Sequence, residues 1–256
     1  MNLFMKKTKN QKNADQSSIL TIDNLKVKLF ADGADKTGML EMAAKPFIKG
    51  LTTNPTLMRK AGITDYRSFA LDVIKDIPNK PISFEVFSDD FAEMERQAIQ
   101  ISSWGKNVYV KIPITNTQRQ SACNLVRKLS KLGIKLNVTA LMTLEQVREV
   151  VASLEPTVPS YISVFAGRIA DTGQDPVPIM REAVRLIGSS TKTELIWASP
   201  RELLNVFHAD SVGCHIITAT NDILKKLELI GKDLDEYSLD TVKMFYKDAK
   251  TAGFSI

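Results

Sequence analysis

Eight short runs rich in β-branched and aromatic residues recur between residues 27 and 218 and alternate with segments of helical spacing. They are VKLFAD (27–32), FIKGLTT (47–53), PISFEV (81–86), NVYVKI (107–112), IKLNVT (134–139), YISVFA (161–166), TELIWAS (193–199) and GCHIIT (213–218). Strands alternating with helices require a parallel sheet joined by right-handed crossovers. Eight such units in about 200 residues fit a closed (β/α)8 TIM barrel better than an open doubly wound sheet. No GxGxxG follows the first run, so the dinucleotide-binding signature is missing.

The intervening segments carry helix signals. DDFAEMERQAIQISSW places Phe91, Met94, Ala98, Ile99 and Ser102 on one side, and TQRQSACNLVRKLSKLG gathers Ala122, Leu125, Val126 and Leu129, with Gly133 as a stop. Thr143 and Gln146 have the spacing of a capping box. Beyond the eight units, SLDTVKMFYKDAKTAG (238–253) predicts an additional C-terminal helix capped by Ser238. Its stripe of Leu239, Val242, Phe245 and Tyr246 suits packing on the barrel or on a second subunit, so a homo-oligomer is expected.

Residues 26–256 therefore read as a single domain, and residues 1–25 as a basic, flexible extension. The net charge of +5 sits mostly at that end: residues 1–28 hold six lysines against two aspartates. The remainder is almost neutral, which argues against a nucleic-acid-binding face. No stretch has the length and apolarity of a membrane span, and no signal-peptide core follows the first lysines. Cys123 and Cys214 are the only cysteines and lack metal-ligand spacing, which fits reduced thiols in the cytoplasm. His208 reads as a surface residue and His215 as part of the barrel wall, so neither a metal nor an organic cofactor is expected.

In a barrel, chemistry belongs at the C-terminal ends of the strands. Polar residues collect there: Asp32, Thr52, Thr53 and Asn54, Glu85, Lys111, Asn137 and Thr139, Arg168, Ser199 and Arg201, and Thr218. Singly, each has an ordinary explanation as a turn former, cap or solvated strand end. As a set, they place carboxylates, an amide and a lysine at one end of successive strands. Alternation turns Val108 and Val110 outward to the helices, and Tyr109 and Lys111 inward. Burial disfavours the charged form of an inward lysine, and a free amine condenses with a ketone to a Schiff base that serves as an electron sink for C–C cleavage. Such cleavage needs a base for the hydroxyl proton, a role Asp32 can take, and a proton shuttle through water, for which Glu85 and Thr139 suit. Asn54 can hold donor hydroxyls. Arg168, Arg201 and Ser199, with a helix starting at Pro200, would hold a phosphate.

The motifs LFADGAD, GLTTNPTLM, FEV, VYVKIPIT, LNVTALM, SVFAGRIADTG and WASPRE resemble, in order and spacing, those of the transaldolase family, in its short-chain branch with the fructose-6-phosphate aldolases. The resemblance covers roughly residues 27–225 and implies a (β/α)8 barrel with Lys111 as the Schiff-base lysine and Asp32 as acid/base. It further implies that Glu85 and Thr139 order the catalytic water. Thr53, Asn54, Asn137 and Phe165 would contact the sugar, and Arg168, Ser199 and Arg201 its phosphate. In that family the aldolases carry Gln and Tyr where this chain has Glu85 and Phe165, and the transaldolases carry Glu and Phe. The resemblance thus implies transfer of a dihydroxyacetone unit from a ketose phosphate to an aldose phosphate in the pentose phosphate pathway. The alternatives are an aldolase outcome or a related transfer on another sugar in carbohydrate biosynthesis. Gly33 replaces the branch's usual Thr, and Pro200 its usual Phe or Val. A non-catalytic sugar-phosphate binder is the competing reading from another class; the complete set of catalytic residue types stands against it.

Overall fold

The computed structural model describes residues 21–189 and 191–256. Most of the expected basic extension lies outside the described residues. Two compact units emerge, residues 25–226 and one that includes residues 227–256, and each is described by itself.

Among the described residues, eight parallel strands close into a barrel in sequence order: β1 (Lys28–Asp32), β2 (Ile48–Thr52), β3 (Ile82–Glu85), β4 (Val108–Pro113), β5 (Leu136–Leu141), β6 (Ser160–Val164), β7 (Thr193–Trp197) and β8 (Ile216–Thr220). The (β/α)8 expectation is met, and all eight runs supply a strand. The last two shift: β7 stops at Trp197 and β8 continues to Thr220. The interleaved helices are α1 (Lys36–Ala44), α2 (Pro55–Lys60), α3 (Tyr66–Asp76), α4 (Phe91–Ser102), α5 (Cys123–Lys131), α6 (Leu144–Val151), α7 (Ala166–Asp171), α8 (Pro176–Ile187), α9 (Leu204–Ser211) and α10 (Asn221–Lys225).

Alternation sorts the strand residues. Val108, Val110 and Ile112 are buried on the outer wall, each contributing about 1.5–3 kcal/mol relative to exposure. The barrel interior has two zones. Its lower zone is a floor in which Phe30, Tyr109, Tyr161, Ile196 and Ile216 pack together. Tyr109 stacks on Tyr161 with ring centroids 4.1 Å apart, and Phe30 meets Tyr161 edge-on at 5.8 Å. Gly50 on β2 makes room for Phe30: a Cβ there would lie 2.5 Å from Phe30 Cζ. Above the floor the inward residues turn polar.

The capping box of α6 forms as the spacing predicts, between Thr143 and Gln146. Ala122, Leu125, Val126 and Leu129 are all buried. On α4, Met94 and Ala98 are buried as expected, joined by Gln97 and Ile101, while Ile99 is exposed. Gln97 can be buried because its Oε1 accepts from the backbone N–H of Phe87 at 2.9 Å and of Ser88 at 3.3 Å.

The second unit contains α11 (Leu234–Ala252). It starts before Ser238 because Asp233 is its cap, accepting from the N–H groups of Asp235 and Glu236. Gly253, with φ 69°, closes it. Leu239, Val242, Phe245 and Tyr246 lie exposed along it. Among the described residues no helix is long and apolar enough to cross a membrane.

Candidate active site

A cavity of about 730 Å³ opens at the C-terminal end of the barrel and is lined by residues from every strand end. Its centre is Lys111, which is 6% exposed. β4 pairs with β3 so that Lys111 stands opposite Glu85, and with β5 so that it stands opposite Asn137. Lys111 Nζ lies 3.1 Å from Glu85 Oε2 and donates at 2.9 Å to the carbonyl of Thr53. The buried ammonium group is therefore paired, as burial demands.

Asp32 ends β1, half-buried, with Thr52 as its register partner on β2. Thr52 Oγ1 donates to Asp32 Oδ1 at 2.7 Å and lies 2.6 Å from Thr218 Oγ1. Burial pushes the Asp32 carboxyl above the usual carboxylate range; Lys111 and the Thr52 hydroxyl oppose that shift, and Glu85 adds to it.

Asn54 lines the cavity and caps α2, its Oδ1 accepting from Leu57 N–H at 2.9 Å. The cap uses the oxygen and leaves the Nδ2 amine as the donor for a ligand. Thr53 does not line the cavity. Its hydroxyl is spent on the carbonyl of Ser83 at 2.8 Å, and its carbonyl holds Lys111. The neighbouring Thr52 faces the mouth in its place.

Asn137 is fully buried between two hydroxyls: its Nδ2 donates to Ser83 Oγ at 3.0 Å, and its Oδ1 accepts from Ser163 Oγ at 2.7 Å. Thr139 lies at the end of β5, where Ala140 adopts φ 65° and the pairing with β6 slips. That irregularity leaves the buried Thr139 Oγ1 without a protein partner while Thr139 lines the cavity. A buried hydroxyl on a wet cavity is a position for a water. Ser163, which also lines the cavity, is an addition to the expected set, and Thr218, expected at its strand end, lines the cavity as well. Ser163 shares the inward parity of Tyr161 and Phe165, so alternation alone could have found it.

Phe165, Arg168, Ser199 and Arg201 form the far wall. The Arg168 guanidinium sits 5.6 Å above the Phe165 ring. Arg201 pairs with Asp171 on α7, its Nε donating at 2.9 Å to Oδ1 and its Nη2 to Oδ2. That pair holds the Asp171 carboxyl below its usual range. The expected helix start at Pro200 is not formed: α9 begins at Leu204, and Asn205 Oδ1 takes the N–H groups of Arg201 and Glu202. Ser199 has φ 59° instead of a capping conformation. The segment after Ser199 therefore offers a phosphate its side chains rather than the start of α9.

A smaller cavity of about 370 Å³ adjoins the first and shares Asp32, Leu57, Lys60, Thr220 and Asp222 with it. The histidines lie apart from both. His215 Nδ1 accepts from Leu195 N–H at 3.0 Å, and burial lowers its pKa. His208, expected at the surface, is half-buried with its ring 6.4 Å from Trp197.

Residues 29–256 match the family model described as transaldolase/fructose-6-phosphate aldolase. A probable transaldolase of Thermoanaerobacter sp. (strain X514) is 34% identical over 234 residues, covering 90% of this chain and 100% of that protein. One from Methanococcus maripaludis (strain S2 / LL) is 35% identical over 205 residues, covering 78% and 89%. Among solved structures, dihydrodipicolinate synthase from Rhodopseudomonas palustris superposes with a TM-score of 0.54 at 14% identity, covering 86% of this chain and 80% of that one, a likeness of fold alone.

Proposed function

The chain belongs to the transaldolase/fructose-6-phosphate aldolase family and is a transaldolase-family enzyme, and on that premise we propose that it moves a dihydroxyacetone unit between sugar phosphates through a Schiff base on Lys111. The observation that carries this reading is Lys111 Nζ, 3.1 Å from Glu85 Oε2 in a cavity that Asp32 also lines.

The steps use groups that line the cavity. Glu85 is placed to take the proton that Lys111 must lose before its nitrogen attacks C2 of a ketose phosphate. The carbinolamine loses water as a proton passes through a water between Glu85 and Thr139, giving the iminium. Asp32 removes the proton of the C4 hydroxyl. The C3–C4 bond then breaks, its electrons reduce the iminium to an enamine, and an aldehyde leaves. An acceptor aldehyde enters, the enamine carbon attacks it, Asp32 returns the proton to the new alkoxide, and water adds at C2 of the resulting iminium so that the C–N bond breaks, freeing the product ketose and Lys111. The raised pKa of Asp32 suits a group that must carry that proton between the two halves. Asn54 Nδ2 aligns the hydroxyls, and Arg168, Ser199 and Arg201 take the phosphate.

Phe165 offers no hydroxyl to a water near Glu85 and Thr139, which favours transfer over release of free dihydroxyacetone. The exposed stripe on α11 supports a homo-oligomer, and two free cysteines fit a cytoplasmic protein. The near-neutral barrel supports no nucleic-acid partner. Borohydride reduction with fructose 6-phosphate tests the chemistry: a mass adduct on the Lys111 peptide is expected, and no adduct with any ketose phosphate overturns it. An acceptor panel then separates turnover with erythrose 4-phosphate from release of dihydroxyacetone.

A further inference from the structure

Two features of one helix face bear on the far wall of the cavity. Gly167 on α7 abuts the loop after β7 so closely that a Cβ there would lie 1.5 Å from Ser199 O and 2.7 Å from Ser199 C. Its N–H also points to the carbonyl of Ala198 at 3.4 Å. Ser199 is held at φ 59°, a left-handed conformation that a serine keeps only where its surroundings enforce it. Four residues along the same face, Asp171 grips Arg201 through two of the three guanidinium nitrogens. That leaves Nη1 of Arg201 for a ligand. Arg168, between the two contacts in sequence, lines the cavity itself.

We infer that α7 is the positioning element of the anion site, with Gly167 fixing Ser199 and Asp171 fixing Arg201, so that both meet the same phosphate as Arg168. This rests on the reading of that wall as the phosphate site. Neither Gly167 nor Asp171 touches substrate in this role; each acts through the residue it holds. An alanine at 167 must open the contact from 1.5 Å to about 3.0 Å, and a misplacement of about 1 Å can cost on the order of 10²-fold.

The test measures half-saturation of borohydride trapping by fructose 6-phosphate and by dihydroxyacetone, a phosphate-free ketone, together with protection by inorganic phosphate. In the unaltered enzyme, phosphate should compete with the sugar phosphate; if it does not, the phosphate reading and this inference both fall. Gly167→Ala should raise half-saturation by fructose 6-phosphate at least about tenfold and weaken phosphate competition, with dihydroxyacetone trapping within about twofold. Asp171→Asn should raise it about threefold, and Asp171→Glu should recover most of the loss. The exposed Asp171 variants decide the matter if Gly167→Ala does not fold. Phosphate competition intact in the parent and unchanged in the variants overturns the inference alone, as does a parallel loss with both ketones.

Discussion

Thr52 and Asp32 are register partners on adjacent strands, and the threonine hydroxyl is the one side-chain donor to the aspartate among the described residues. The relationship links a strand pairing to the proton affinity of the proposed acid/base. A hydrogen bond to a charged group is worth about 1.5–3 kcal/mol, or roughly one to two pKa units. Thr52→Val should therefore push the already raised Asp32 pKa higher. The acidic limb of the kcat/KM profile is expected to move up by about one unit, with the alkaline limb fixed. A limb that stays in place would remove Thr52 from this role.

Asp32→Asn should abolish turnover yet stabilise the fold. The folded-state pKa of Asp32 lies above the usual 3.8. Below 3.8 both states are protonated and ionisation costs nothing. As pH rises through the folded value, the unfolded chain ionises more readily, so the native carboxyl loses stability. The gain in Tm from Asn should be near zero at the acidic end and grow to a plateau at neutral pH. A gain that shrinks with rising pH would contradict the sign.

Lys111→Met should abolish borohydride trapping and lower Tm, because it strips Glu85 of its nearest cation in a buried setting. Removing one partner of a buried pair costs about 3–5 kcal/mol, and removing both can be nearly neutral. The double variant Lys111→Met/Glu85→Gln should thus recover much of the loss. Denaturant titration of the three proteins checks the order.

Gly50→Ala places a methyl group against the ring of Phe30, a residue with 1% exposure and no room to yield. Overpacking of this kind costs about 1–3 kcal/mol. Adding Phe30→Leu should restore part of the stability at the denaturation midpoint. Equal midpoints for Gly50→Ala and its parent would show that the floor has slack.

The barrel was legible because eight β-rich runs alternate with segments of helical spacing, each instance reinforcing the others. Lys111, Glu85, Asp32 and Asn137 were legible because inward parity at a strand end is a local property. What stayed hidden depends on contacts between distant segments. Thr52 and Thr53 differ by one residue, and only the bond from Thr53 to Ser83 shows which one faces the cavity. Ser199 looked like a helix cap because Pro follows it; Gly167, thirty-two positions earlier, lies against its carbonyl. On α4, hydrophobicity alone favours Ile99 over Gln97, yet Ile99 is exposed and Gln97 finds backbone partners inside.

The stacked tyrosines beneath Lys111 carry one further consequence. Because Tyr109, Tyr161 and Phe30 pack together in the lower barrel, the cavity opens, among the described residues, at the strand C-termini. On the proposed reaction, the leaving aldehyde and the acceptor share that route and the same place beside Asp32, so one leaves before the other enters. Initial rates plotted against one substrate at fixed levels of the other should give parallel double-reciprocal lines, the signature of a ping-pong order written into the floor of the fold.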